Sequence, residues 1–197
     1  MKNRHYLPIV LLLFVAACSP STQLSKSWMD PSVKASTWKP FKKVLTMGLV
    51  KDEGTRRMIE DKLAAQLPAG RAIPSYSYLT AADTVDAQVE AKLIKDGFDG
   101  VILMRLANVE QSVSYVPGTT YGGFYGYRGY GYGGYGTQGY YDQDKTYNVE
   151  TNIYTLNPPK LVWAGTTASM NPSKVSGTMD DIIATIKAEF KKKGIMK

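Results

Sequence analysis

Apolar residues follow two periods along this chain. From Val44 to Val50 they run almost unbroken, as in a buried strand. From Gly54 to Leu67 they recur at Ile59, Leu63 and Leu67, which is one face of a helix, and Pro68-Ala69-Gly70 ends it. Ala72 to Tyr78 predicts a second strand, and Pro74 within it points to a sheet edge. Helical spacing returns at Val85, Val89 and Leu93 across Thr84 to Asp96, with Gly97 as the cap. Gly100 to Val116 predicts a long strand. Its first half, Val101-Ile102-Leu103-Met104-Arg105-Leu106, reads as central, and its second half alternates through Val109, Gln111, Val113 and Tyr115 and reads as half-exposed. Thr146 to Leu156 predicts another strand, with Tyr147, Val149, Thr151 and Ile153 on one face and Asn148, Glu150 and Asn152 on the other. Asn157-Pro158-Pro159-Lys160 turns the chain, and Leu161 to Met170 returns as a strand with Trp163 expected in the core. Thr178-Met179-Asp180-Asp181 has the form of a capping box. It predicts the start of a last helix with Ile182, Ile186 and Phe190 on its apolar face and Gly194 as its stop.

The predicted order is β-α-β-α-β-β-β-α. Two helical crossovers imply parallel strands and the hairpin adds antiparallel ones. The fold class is therefore α/β: a single domain with a mixed sheet packed by helices, over residues 41–197. Residues 19–40 are rich in Ser, Thr, Lys and Pro and read, together with Cys18, as a tether, with Trp28 and Trp38 as docking points.

The amino-terminal segment changes the picture. Lys2 and Arg4 precede an apolar run, Leu7 to Val15, followed by the small residues Ala16 and Ala17 and then Cys18. That is the layout of a secretory signal over residues 1–17, and the run is shorter than the roughly 20 residues that span a bilayer. Val15-Ala16-Ala17-Cys18 resembles the lipobox of bacterial lipoproteins. The resemblance implies cleavage before Cys18, a diacylglycerol on its thiol and a further acyl chain on its amine, palmitate being typical. Ser19 follows Cys18 where inner-membrane lipoproteins carry Asp, so the resemblance implies the periplasmic face of the outer membrane.

Removal of residues 1–17 takes two positive charges and the only histidine, His5, and lowers the net charge from +7 to +5. With no histidine left and the one cysteine acylated, Ser-His-Asp and Cys-His catalysis, histidine-based zinc sites and disulfides are all excluded. There is no G-x-S-x-G, no P-loop and no G-x-G-x-x-G opening a helix. No cofactor and no metal is expected. Asp52-Glu53, Glu60-Asp61 and Asp180-Asp181 are read as negative charge favoured at helix starts. Lys191-Lys192-Lys193 and Lys197 suit a helix carboxyl end, and the compartment argues against nucleic acid.

Further runs carry a second resemblance: Met47-Gly48-Leu49-Val50-Lys51-Asp52, Arg56-Arg57-Met58-Ile59-Glu60-Asp61, Pro74-Ser75-Tyr76, Gly97-Phe98-Asp99-Gly100-Val101 and Leu161-Val162-Trp163-Ala164-Gly165. Over most of residues 40–195 the chain resembles a class of uncharacterised bacterial lipoproteins described as a domain of unknown function. The fold of that class resembles the small α/β domain of periplasmic assembly lipoproteins. The resemblance brings no catalytic residues.

Residues 115–142 interrupt the domain with 9 Tyr and 10 Gly in 28 positions. So much glycine makes ordering costly, and without an apolar period the segment cannot build its own core. Tyrosine offers a flat apolar face and a hydroxyl at small rotamer cost. Tyr121, Tyr125, Tyr127, Arg128, Tyr130, Tyr132 and Tyr135 are the expected binding residues, for an envelope protein or a glycan. The expected function is a non-catalytic, membrane-anchored scaffold or accessory binding factor. The alternative is a carboxylate-dependent enzyme acting on envelope glycan, with Asp96, Asp99 and Glu110 as its first candidates.

Overall fold

A computed structural model describes residues 21–36, 38–80, 83, 86–116 and 140–196. Six strands form one mixed sheet: β1 (Thr22–Met29), β2 (Val44–Leu49), β3 (Ala72–Pro74), β4 (Gly100–Val116), β5 (Tyr140–Leu156) and β6 (Pro159–Met170). Their spatial order is β1-β6-β5-β4-β2-β3. β2 pairs in parallel with both β3 and β4, while β4-β5-β6-β1 is antiparallel throughout. The helices are α1 (Glu53–Ala64), the single turn α2 (Ser75–Tyr78), α3 (Asp86–Lys95) and α4 (Val175–Lys192). The α/β class and the mixed sheet are those the residue pattern predicts.

α1 and α4 lie side by side on one face of the sheet, tied by a Lys62–Asp180 ion pair at 2.6 Å. Ile59, Leu63, Met104, Ile153, Trp163, Ile182 and Ile186 form the core beneath them. Trp163 is 1% exposed, as expected of a core residue. Its indole folds over Gly165, where an added Cβ would sit 2.3 Å from the ring. On the opposite face α3 supplies Leu93, which packs with Leu45, Phe98 and Leu156. Gly97 and Gly194 end their helices at φ 80° and 71°, a conformation that favours glycine.

Four boundaries depart from the sequence reading. Residues 22–29 are an edge strand and not part of a tether: β1 pairs with β6 from Thr22↔Ser169 to Met29↔Trp163. Its inward positions are Thr22, Leu24 and Met29, and the hydroxyls of Thr22 and Ser169, both buried, meet at 2.7 Å. The register shift between Leu24 and Lys26 sets the inward Leu24 and Met29 an odd number of residues apart and hides the alternation that marks a strand. β3 stops at Pro74, and Ser75–Tyr78 coil into α2 instead of extending the strand. β5 starts at Tyr140, so residues 115, 116 and 140–142 of the supposed insertion are strand. Finally, α4 begins at Val175, and Thr178 does not cap it. The Thr178 hydroxyl bonds back to the carbonyl of Lys174 at 2.9 Å, inside the first turn.

Candidate functional site

β4 and β5 outrun the rest of the sheet. β2 leaves β4 at Arg105, and β6 leaves β5 at Thr146. From Gln111↔Lys145 to Val116↔Tyr140 the two strands pair only with each other. This two-stranded ribbon projects by about 20 Å at the usual strand rise. Directly paired residues share a face, and alternate residues along each strand do too. Val113, Tyr115, Gln143 and Tyr141 therefore line one face, with Lys145 and Gln111 at its base, and Tyr115 and Tyr141 meet ring to ring at 5.1 Å. Ser112, Ser114, Asp142 and Asp144 line the other. The seven expected binding residues, Tyr121 to Tyr135 with Arg128, and the expected lipidation site Cys18 all lie outside the described residues. The ribbon ends where residues 117–139 begin and return, so it is the mount of the Tyr/Gly segment.

The start of β1 lies at this same end. Thr22 aligns with Ser169, Ser169 with Tyr147, and Tyr147 with Val109, at the base of the ribbon. β1 runs parallel in direction to β5, so its first residue, Thr22, lies at the end from which the ribbon projects. Cys18 stands three residues before Ser21, whose carbonyl accepts from the Met170 N–H at 2.9 Å. Three residues reach at most about 11 Å.

Glu110 does not meet the other two carboxylates of the enzymatic alternative. Asp99 accepts the backbone N–H groups of Lys42 and Lys43 at 2.8–3.0 Å and fastens that turn. Asp96 accepts the Tyr78 hydroxyl at 2.6 Å, and burial, with Asp96 beside it, pushes that phenol up to about 12. Glu110 accepts the side-chain amides of Asn108 and Asn148 at 3.2 and 2.7 Å. Eleven residues of extended chain put Glu110 roughly 35 Å from Asp99. Two other carboxylates sit low at about 2. Asp30 is held there by Lys160 and Ser32, and Asp83 by the Thr80 N–H and Lys92. Each of these contacts fastens a loop or turn. Among the described residues no group of three His, Cys, Asp or Glu could hold a metal ion.

The carboxylate that sequence reading misplaced is Glu60. It is wholly buried and accepts from the Gly48 N–H at 3.1 Å, the Ser75 hydroxyl at 2.7 Å and the Tyr76 N–H at 2.9 Å. The Glu60 carbonyl takes the Thr46 hydroxyl at 3.1 Å. Its place was signalled by its spacing of three from Leu63, which sets both on the stripe that faces the sheet. This network docks α1 on β2 and fixes the bend from β3 into α2.

Two apolar hollows flank the α1–α4 layer. The larger, about 510 Å³, lies under the carboxyl ends of both helices, between Phe41, Leu63, Ile102, Ile153, Ile186 and Phe190. Thr151 lines it, 2% exposed, and its hydroxyl has no hydrogen-bond partner among the described residues. The smaller, about 290 Å³, opens at the ribbon end, between Leu106, Tyr147, Val149, Lys174 and Val175. No described helix is long and apolar enough to cross a membrane.

No family model matches the chain, and no curated protein matches it. Solved structures do. A PelC dodecamer from Paraburkholderia phytofirmans is similar over 89% of this chain and 99% of its own, at 11% identity and a TM-score of 0.45. A second PelC dodecamer from the same organism covers 83% and 96%, at 10% and 0.44. Lipoprotein GNA1162 from Neisseria meningitidis covers 76% and 98%, at 14% and 0.40. Likeness at this level does not carry activity from one chain to another.

Proposed function

We propose that this chain is a lipid-anchored envelope protein that acts by binding and not by catalysis. In this reading Cys18 holds it on the periplasmic face of the outer membrane, and residues 117–139 engage a protein or glycan partner. The observation that carries the proposal is the shared end of the fold. The first strand begins four residues after Cys18, and the ribbon that mounts the Tyr/Gly segment projects toward that side. An acyl anchor would place the aromatic segment at the lipid surface with no linker to spare. The carboxylates Asp96, Asp99 and Glu110 are occupied in hydrogen bonds that hold turns and strands, which supports the non-catalytic reading.

Metabolic labelling with a fatty-acid analogue should tag the wild-type chain and leave Cys18→Ala untagged. In-cell crosslinking should then recover a partner with the wild type and lose it when residues 117–139 are deleted and Val116 is joined to Tyr140 by a short turn. Label on Cys18→Ala would sink the anchor. Unchanged crosslinks after the deletion would move the binding surface to the α/β body.

A further inference from the structure

Exposed apolar side chains are not spread evenly over the described residues. Seven of the eleven large exposed ones lie at the ribbon end: Leu106, Val109, Val113, Tyr115, Tyr141, Met170 and Val175. On the ribbon itself Val113, Tyr115 and Tyr141 are 62%, 57% and 72% exposed, and the register puts all three on one face. A chain rarely leaves such a cluster open to water without a use for it. The face is also cationic at its base, where Lys145 pairs opposite Gln111, and Lys174 borders the adjoining hollow. The acidic residues Asp142 and Asp144 occupy the reverse face, with Asp144 bonded to Asn171. From Gln111 to Tyr115 the ribbon is thus amphipathic, with apolar, phenolic and cationic groups on one side and carboxylates and serines on the other.

We propose that this apolar face of the β4–β5 ribbon docks on the lipid surface that holds the anchor, with Val113, Tyr115 and Tyr141 in the headgroup layer. The proposal rests on the reading that Cys18 is acylated. The chain between Ser21 and Cys18 can span at most about 11 Å, whereas the ribbon projects by about 20 Å. A ribbon that long cannot stay clear of the surface unless the whole domain tilts away from it. Tyrosine suits the interface because its ring is apolar and its hydroxyl stays wet. Lysines beside the face favour anionic headgroups, and carboxylates on the reverse stay in water. Two attachments, an acyl group and an interfacial ribbon, would fix the orientation of the domain where the acyl group alone leaves it free to swing.

The test uses the full lipidated chain in vesicles of phosphatidylethanolamine and phosphatidylglycerol. Acylation removes the only native thiol, so Val113→Cys and Ser112→Cys each present a single site for an environment-sensitive fluorophore. Both positions are exposed, so neither change disturbs the core. On vesicles the label at Val113→Cys should shift to the blue and lose most of its quenching by iodide. The label at Ser112→Cys, on the reverse face, should stay several-fold more accessible. Equal accessibility of the two would overturn the docking while leaving the anchor intact. Protection at Val113→Cys that grows with protein density at fixed lipid would make the occupant a second copy and overturn it as well. Uptake of the thiol label by the unmutated chain would overturn the anchor, and the docking with it.

Discussion

Truncating Glu60 should cost more stability than any other single change on α1. The side chain is completely buried, and three donors converge on its two oxygens: Gly48 N–H, Ser75 Oγ–H and Tyr76 N–H. Arg56 stands at 3.8 Å and is partly exposed, so it offsets only part of the charge. Glu60→Ala strands the three donors away from water. Each orphaned donor costs about 1–3 kcal/mol, less whatever a trapped water recovers. The expected total is about 3–5 kcal/mol, the range for breaking a buried charged network. For a domain of this size that corresponds to a fall in Tm of roughly 6–20 °C. Glu60→Gln keeps one acceptor oxygen but turns an NH2 group toward a donor, so it should lose about 1–3 kcal/mol. Ser75→Ala removes one neutral bond and should lose about 0.5–1.5 kcal/mol. Urea denaturation followed by circular dichroism would rank the three. A Glu60→Ala variant within 0.5 kcal/mol of wild type would refute the reasoning, because the network would then be a passenger of packing and not its fastener.

The core and the turn that follows β1 give two further tests. Ile186→Ala should destabilise the fold by about 2–3 kcal/mol, the low end for a buried isoleucine because the residue already borders a hollow, whereas Lys192→Ala should stay within about 0.5 kcal/mol; equal small losses in urea melts would detach α4 from the core. Asp30 titrates at about 2 when folded against 3.8 for a free side chain, so its contact with Lys160 and Ser32 stabilises the fold above about pH 4 and fades as the pH falls through 2. Asp30→Asn should therefore melt lower than wild type at neutral pH, with the gap closing in acid; a constant gap from pH 7 to pH 3 would contradict the assignment.

The elements that sequence pattern located are those whose inner faces are apolar. Ile59 and Leu63, Ile182 and Ile186, and the run Val101 to Met104 each declare their period, and each sits in or against the core. The elements it missed break step or have ambiguous ends. β1 turns Thr22, Leu24 and Met29 inward but breaks step near Ser25, so eight strand residues passed for linker. Tyr140 to Lys145 alternate correctly, with Tyr141, Gln143 and Lys145 against Asp142 and Asp144, but the Gly-Tyr repeats beside them masked the pattern. Thr178 offered a capping box that a helix begun one turn earlier makes redundant. Glu60 looked like a dipole charge because periodicity registers apolar positions, and a buried carboxylate on the same stripe counts as polar.

The coincidence of the first strand and the ribbon at one end of the sheet could not be read locally at all. It depends on Thr22 finding Ser169, a contact across 147 residues that no window of periodicity contains. Yet it changes the functional argument more than any other element. With residues 18–40 as a free tether, the body could stand some 70 Å from a lipid anchor, and the aromatic segment could search a large volume around it. With β1 zipped to β6, Cys18 stands three residues before Ser21, and three residues reach at most about 11 Å. An anchor at Cys18 then confines the Tyr/Gly segment to a shell next to the membrane. A partner on that surface is met at a high effective concentration, and one that is distant or purely soluble must come to it. Restoring the tether is therefore an informative perturbation. Inserting a flexible Gly/Ser stretch of about twenty residues between Ser19 and Pro20 should leave the fold and its Tm unchanged, because no described contact crosses that point. It should weaken crosslinking to a membrane-bound partner several-fold while leaving capture of a soluble one intact. Undiminished crosslinking to a membrane-bound partner would show that the short spacing sets no functional distance.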